Sequence, residues 1–103
     1  MMKIAVLTPD REIFHGNIAS VKIPGVLGEF QVLPNHAPIV SALESGKVEI
    51  VTAEGEYTFF DTVNKEKKTG QGAGNKITFQ IEAGFIEVLN NDVSLLVQGV
   101  SAR

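Results

Sequence analysis

The glycine run Gly70-Gln71-Gly72-Ala73-Gly74 is where this chain comes nearest to a phosphate-binding pattern. Such cradles follow a strand and open a helix, commonly with Lys and then Ser or Thr, so that helix-terminal amides point at the anion. Here Lys76 leads into Ile77, Phe79 and Ile81 alternating with polar residues, a strand pattern. The run therefore reads as a flexible loop. The two histidines, His15 and His36, would each need a second ligand or a matched carboxylate to bind metal or move protons. Neither has an evident partner set, and His15 sits in Phe14-His15-Gly16-Asn17, a surface turn. Ser20, Ser41, Ser45, Ser94 and Ser101 lie in no Gly-x-Ser-x-Gly elbow. The 12 acidic residues are dispersed as solubilising groups. No catalytic residue, cofactor-binding residue or metal ligand is assigned. A small hydrolase, needing a carboxylate and a nucleophile beside a histidine, ranks last among the readings.

The elements that must carry these residues are short strands. Ile77, Phe79 and Ile81 face one way and Thr78, Gln80 and Glu82 the other. Similar alternation recurs at Val21 and Ile23, Phe30 and Val32, Val48 and Ile50, Ile86 and Val88, and Val93, Leu95 and Val97. Turn signals separate them, among them Thr8-Pro9-Asp10, Pro24-Gly25, Pro34-Asn35, Ser45-Gly46, Glu54-Gly55 and Asn90-Asn91-Asp92. Helical periodicity is confined to one turn near Ser41 to Glu44. The expectation is an all-β, antiparallel two-sheet β-sandwich of about eight to ten short strands. Residues 61–75, with Lys65, Lys67 and Lys68 and then the glycines, hold almost no apolar residue and read as a long mobile loop.

A chain of 103 residues, 44% of them apolar, is expected to form one domain over 1–103. With no cysteine it has no disulfide framework or thiolate chemistry. A formal charge of -3 with scattered basic residues leaves little footprint for nucleic acid. No stretch approaches the roughly 20 apolar residues of a membrane helix. The opening residues are no signal peptide, because Pro9, Asp10, Arg11 and Glu12 cut the apolar run short.

The stretch Ile23-Pro24-Gly25-Val26-Leu27-Gly28-Glu29-Phe30-Gln31-Val32-Leu33-Pro34-Asn35-His36-Ala37-Pro38-Ile39-Val40 is similar to the signature of the epsilon subunit family of F-type ATP synthases. That signature runs Val-Pro-Gly, a spacer, Gly-Glu-Phe, a strand, then Leu-Pro-Gly-His-Ala-Pro. Thr8-Pro9, Phe14-His15-Gly16, Ala42-Leu43, Ser45-Gly46 and Ala83-Gly84-Phe85-Ile86-Glu87-Val88 extend the resemblance over nearly the whole chain outside 61–75.

The resemblance implies a non-catalytic rotor subunit whose sandwich is fixed to the gamma subunit and stands on the c ring, with the catalytic alpha/beta hexamer reached indirectly. It implies no cofactor and membrane association only through partners; the absence of a targeting segment favours a place on the cytoplasmic face of the bacterial inner membrane, although a plastid-encoded protein would also lack such a segment. It puts Glu29, Pro34, Asn35 and His36 in a ring-facing loop. There Glu29 would set docking orientation by charge, and His36 would either contact the ring or order its own turn. Pro34 and Pro38 either stiffen that turn or only terminate strands. Asn35 stands where the family has Gly, which Asn tolerates because it enters the left-handed region readily. Val26-Leu27 replaces a commonly polar spacer and either adds contact area or packs down. The family's two C-terminal helices are absent from this sequence, so inhibition through them is not carried over. The alternative is a free-standing β-sandwich binding a small ligand on an aromatic platform, for which Tyr57, Phe59 and Phe60 are the candidates.

Overall fold

The computed structural model describes residues 1–61 and 64–101. It forms ten strands: β1 (Met2–Leu7), β2 (Glu12–Gly25), β3 (Gly28–Val32), β4 (Ile39–Leu43), β5 (Gly46–Thr52), β6 (Glu56–Asp61), β7 (Glu66–Gln71), β8 (Lys76–Ile81), β9 (Ala83–Leu89) and β10 (Asp92–Gln98). No described residue is helical, so none forms a helix long and apolar enough to cross a membrane. The all-β expectation holds, and the single helical turn expected near Ser41 is strand β4 instead. All strand pairs are antiparallel except β1 with β10, which run parallel with Val6 beside Leu95.

Alternation writes the burial. In β10 Val93, Leu95 and Val97 are buried while Asp92, Ser94, Leu96 and Gln98 face water. β2 breaks this rule twice, burying Ile13 with Phe14 and Ser20 with Val21. Each break coincides with a register shift, one against β1 and one against β5. An extra residue in one strand flips the faces and bends the strand. So bent, β2 pairs with β1, β3, β4, β5 and β6 and serves both layers. The core between them includes Phe14, Ile18, Ile23, Ile50, Ile86 and Leu95, each under 2% exposed. Burial on this scale contributes about 2 kcal/mol per large side chain before entropy is subtracted.

The structure corrects the expectation of a loop over 61–75. Residues 66–71 are strand β7, paired with β6 from Asp61 opposite Glu66 to Glu56 opposite Gln71. Thr62 and Val63 lie outside the described residues. β7 has no apolar face because backbone ladder bonds need none, and β6 supplies the packing. Gly70 lies under the Tyr57 ring, where a Cβ would come within 2.5 Å of Tyr57 Cζ. The glycine-rich turn that follows is pinned. Buried Thr52 donates its hydroxyl to the Gly72 carbonyl at 2.8 Å and accepts from the Asn75 amide at 2.9 Å. The Asn75 side chain donates to the Tyr57 hydroxyl at 3.0 Å.

Candidate partner-contact site

Leu33 to His36 form a tight turn closed by the His36 N–H donating to the Leu33 carbonyl at 3.2 Å. Pro34 takes the second position, where its fixed φ is favourable, and Asn35 the third at φ 68°. This is the type II pattern, which demands a positive φ at its third residue. Asn35 is held from outside as well: its N–H donates to Asn91 Oδ1 at 2.6 Å, and Asn91 Nδ2 donates back to Asn35 Oδ1 at 3.1 Å. Asn91 belongs to the two-residue β9–β10 turn, whose Asn90 and Asn91 have φ of 51° and 65°, and its carbonyl accepts from the Lys3 amide. Positive φ at both positions is the hairpin turn that matches strand twist. His36 Nδ1 lies 2.7 Å from the Ala37 carbonyl, which can only accept, so Nδ1 carries the proton. Pro34 and Asn35 are exposed and His36 is half-buried.

Glu29 is not part of this turn. It sits on β3 opposite Pro24, beside the β2–β3 hairpin tip, while Val32 at the other end of β3 pairs with Val21 and leads into the turn. At about 3.3 Å per residue, roughly 10 Å of strand separates Glu29 from Val32. Glu29 is exposed and forms no ion pair among the described residues. Val26 and Leu27 do not pack down: they are 52% and 101% exposed.

The chemistry weighed from sequence does not assemble. His15 lies not in a turn, as its sequence context suggested, but within strand β2 beside Ala5 and Thr58, where it is exposed. No group of His, Cys, Asp or Glu side chains able to hold a metal occurs among the described residues. Of the candidate aromatic platform, Tyr57 is buried and stacks on Phe14 at 5.5 Å, and Phe60 carries the Arg11 guanidinium at 4.3 Å. The β6–β7 hairpin carries an ion pair instead, in which Asp61 accepts from Lys68 at 3.0 Å. That hydrogen bond, with the attraction of the carboxylate, holds the Lys68 ammonium above its ordinary range.

The feature missed in the sequence lies on the outer face of β1, β10, β9 and β4. Leu7 pairs with Leu96, Leu96 with Phe85, and Phe85 with Ala42, so four strands place apolar side chains in one row. Leu7, Leu96 and Phe85 are 37%, 51% and 58% exposed, and Val40 next to them is 74% exposed. Beside the row runs an open groove of about 600 Å³ lined by Pro9, Leu43, Gly84 and Val97 among others. Gly84 lets β9 and β10 close here, since a Cβ on it would lie 2.5 Å from the Leu96 carbonyl oxygen. The signal available in the sequence was one outward apolar residue per strand, whose alignment depends on register.

The described residues thus form a β-sandwich that bears an exposed apolar row and assembles no metal-holding cluster. The sequence comparisons name its kind: residues 1–65 match the family described as ATP synthase, Delta/Epsilon chain, beta-sandwich domain, and the chain belongs to that family. It is a non-catalytic chain of the synthase. It is 34% identical over 99 residues to the ATP synthase epsilon chain of Chlorobium limicola, covering 96% of this chain and 91% of that one. Against the epsilon chain of Chlorobaculum tepidum the identity is 38%, over 93% of this chain and 88% of the relative. Against that of Xanthomonas oryzae pv. oryzae it is 33%, over 89% of this chain but 52% of the longer relative. The fold also resembles a chain in the Tetrahymena thermophila mitochondrial ATP synthase central stalk and c ring, with TM-score 0.65 and 16% identity over 97% of this chain and 65% of that one. A chain of the Euglena gracilis mitochondrial ATP synthase gives TM-score 0.72 and 22% identity over 97% of this chain and 52% of that one.

Proposed function

We propose that this chain is a central-stalk rotor subunit that attaches the gamma subunit to the c ring of a proton-translocating F-type ATP synthase and so couples ion flow to ATP synthesis. The observation that carries the reading is the apolar row from Leu7 through Leu96 and Phe85 to Ala42. Contiguous exposed apolar surface rimmed by polar residues marks a protein contact, and here it lies on a backbone ladder of four strands that resists deformation under torque. Gamma takes this row. The ring takes the hairpin and turn region that holds Glu29, Pro34, Asn35 and His36. The alpha/beta hexamer is reached only through gamma, and the chain is held at the cytoplasmic face of a bacterial inner membrane through these partners.

Native mass spectrometry of this chain mixed with the gamma subunit of the same genome tests the reading. A one-to-one complex is the expected result. No complex from a chain shown by circular dichroism to be folded overturns it.

A further inference from the structure

A second open groove, of about 670 Å³, shares Thr8, Pro9 and Gln98 with the one beside the apolar row. Its size is that of a small-molecule site. Buried Ile13 and half-buried Phe60 and Val100 give it an apolar wall, and Arg11 and Lys65 line it with positive charge. Neither cation has an ion-pair partner among the described residues, whereas Lys67 and Lys68 of β7 have theirs in Glu12 and Asp61. Asp10 is the one carboxylate among the described lining residues.

Both cations stand on fixed backbone. Thr8 Oγ1 accepts from the Asp10 and Arg11 amides at 3.2 and 3.1 Å, and the Thr8 amide donates to the Arg11 carbonyl at 2.9 Å. The Arg11 guanidinium then rests over the Phe60 ring at 4.3 Å. Lys65, at φ 56°, is held by its amide donating to the Asp61 carbonyl at 2.7 Å. Ser101, in the same lining, exchanges both backbone hydrogen bonds with Gln80 at 3.0 Å. A groove whose frame is set before a ligand arrives loses less free energy to ordering.

We propose that this groove binds a small monocarboxylate with an apolar body, its carboxylate taken by Arg11 and Lys65 and its body lying against Ile13, Phe60 and Val100. Arg11 and Lys65 against Asp10 leave one net positive charge in the lining, which suits a monoanion and disfavours a phosphate dianion. The guanidinium fork matches the two oxygens of a carboxylate. This binding requires neither gamma nor the ring.

Titration of the full chain with benzoate, followed by amide chemical shifts, tests the site, with phenyl phosphate and benzyl alcohol as comparison probes. Benzoate is expected to shift the amides of Arg11, Lys65 and Ser101 and to bind more tightly than either other probe. Arg11→Gln should weaken benzoate about tenfold, the scale of a charge-assisted hydrogen bond, and Lys65→Gln about threefold, the scale of an exposed ion pair. Asp10→Asn should narrow the preference for benzoate over phenyl phosphate. The melting temperature of each variant should stay near the parent's, since all three side chains are exposed. Unmoved amides at these positions overturn the site, as does benzoate affinity that both Arg11→Gln and Lys65→Gln leave unchanged. Tighter binding of phenyl phosphate than of benzoate overturns the carboxylate assignment. No response to benzoate, together with a loss of gamma binding by Arg11→Gln, overturns the small-molecule site and gives its cations to the docking face.

Discussion

Asn35 and Asn91, 56 residues apart in the chain, bind each other twice, backbone amide to side-chain oxygen at 2.6 Å and side-chain amide to side-chain oxygen at 3.1 Å. Both have positive φ, so each serves its own turn with its backbone, while the Asn91 side chain accepts from the Asn35 amide and donates to the Asn35 side-chain oxygen. The turn after β3 is thereby tied to the turn between β9 and β10.

Asn91→Gly keeps the positive φ at no steric cost and deletes both bonds. It is expected to destabilise the fold by about 1 kcal/mol, the net worth of hydrogen bonds at a partly wet site. Urea denaturation reads this loss, and Asn91→Ala should lose more because a Cβ strains the left-handed backbone.

Phe85→Lys and Leu96→Lys place a charge in the apolar row. Both positions are more than half exposed, so stability should stay within about 0.5 kcal/mol of the parent. Affinity for gamma should fall by at least about tenfold. Calorimetry of the isolated chain together with titration against gamma separates the two effects.

Thr52→Val removes a hydroxyl that is 1% exposed in its residue and that serves Gly72 and Asn75 at once. The isosteric methyl leaves the Gly72 carbonyl and the Asn75 amide without it, a cost of about 2 kcal/mol. Hydrogen exchange should show the Asn75 amide losing protection before the strands on either side.

Lys68 titrates above its ordinary value of 10.5 because it donates to Asp61 and feels its charge. A pKa raised by folding gives stability that is complete below the unfolded value and fades as pH climbs through the folded one. The β6–β7 ion pair should therefore contribute unchanged across neutral pH and weaken only above about pH 10.5. Comparing the parent with Lys68→Met from pH 7 to 11.5 checks the sign: the two stability curves should converge at the alkaline end.

Much of the fold was legible because period-two patterns and turn residues carry it: β8 and β10 follow from their alternation, and Asn90-Asn91 from its left-handed preference. β7 was not, because Lys67, Thr69 and Gln71 offer no apolar face and its order comes from the neighbouring strand and from Tyr57 over Gly70. The bulges in β2 were hidden because Ile13-Phe14 and Ser20-Val21 read as ordinary pairs until their partners are known. At the site, the family resemblance singled out Glu29 and His36 but implied one loop, whereas β3 sets them at its two ends. The apolar row needed three registers at once, and a strand's own sequence holds none of them.

The parallel seam between β1 and β10 has a consequence for synthesis. β1 can pair with β2 as soon as residue 18 has left the ribosome, but its other edge, and the face bearing Leu7, stays open until residues 92–98 emerge. Until then the nascent chain presents an unpaired strand edge that another nascent copy could join, and contacts between the ends of a chain are slow to close. The same seam that makes the finished body rigid leaves its first strand exposed for most of the time that the chain is being made.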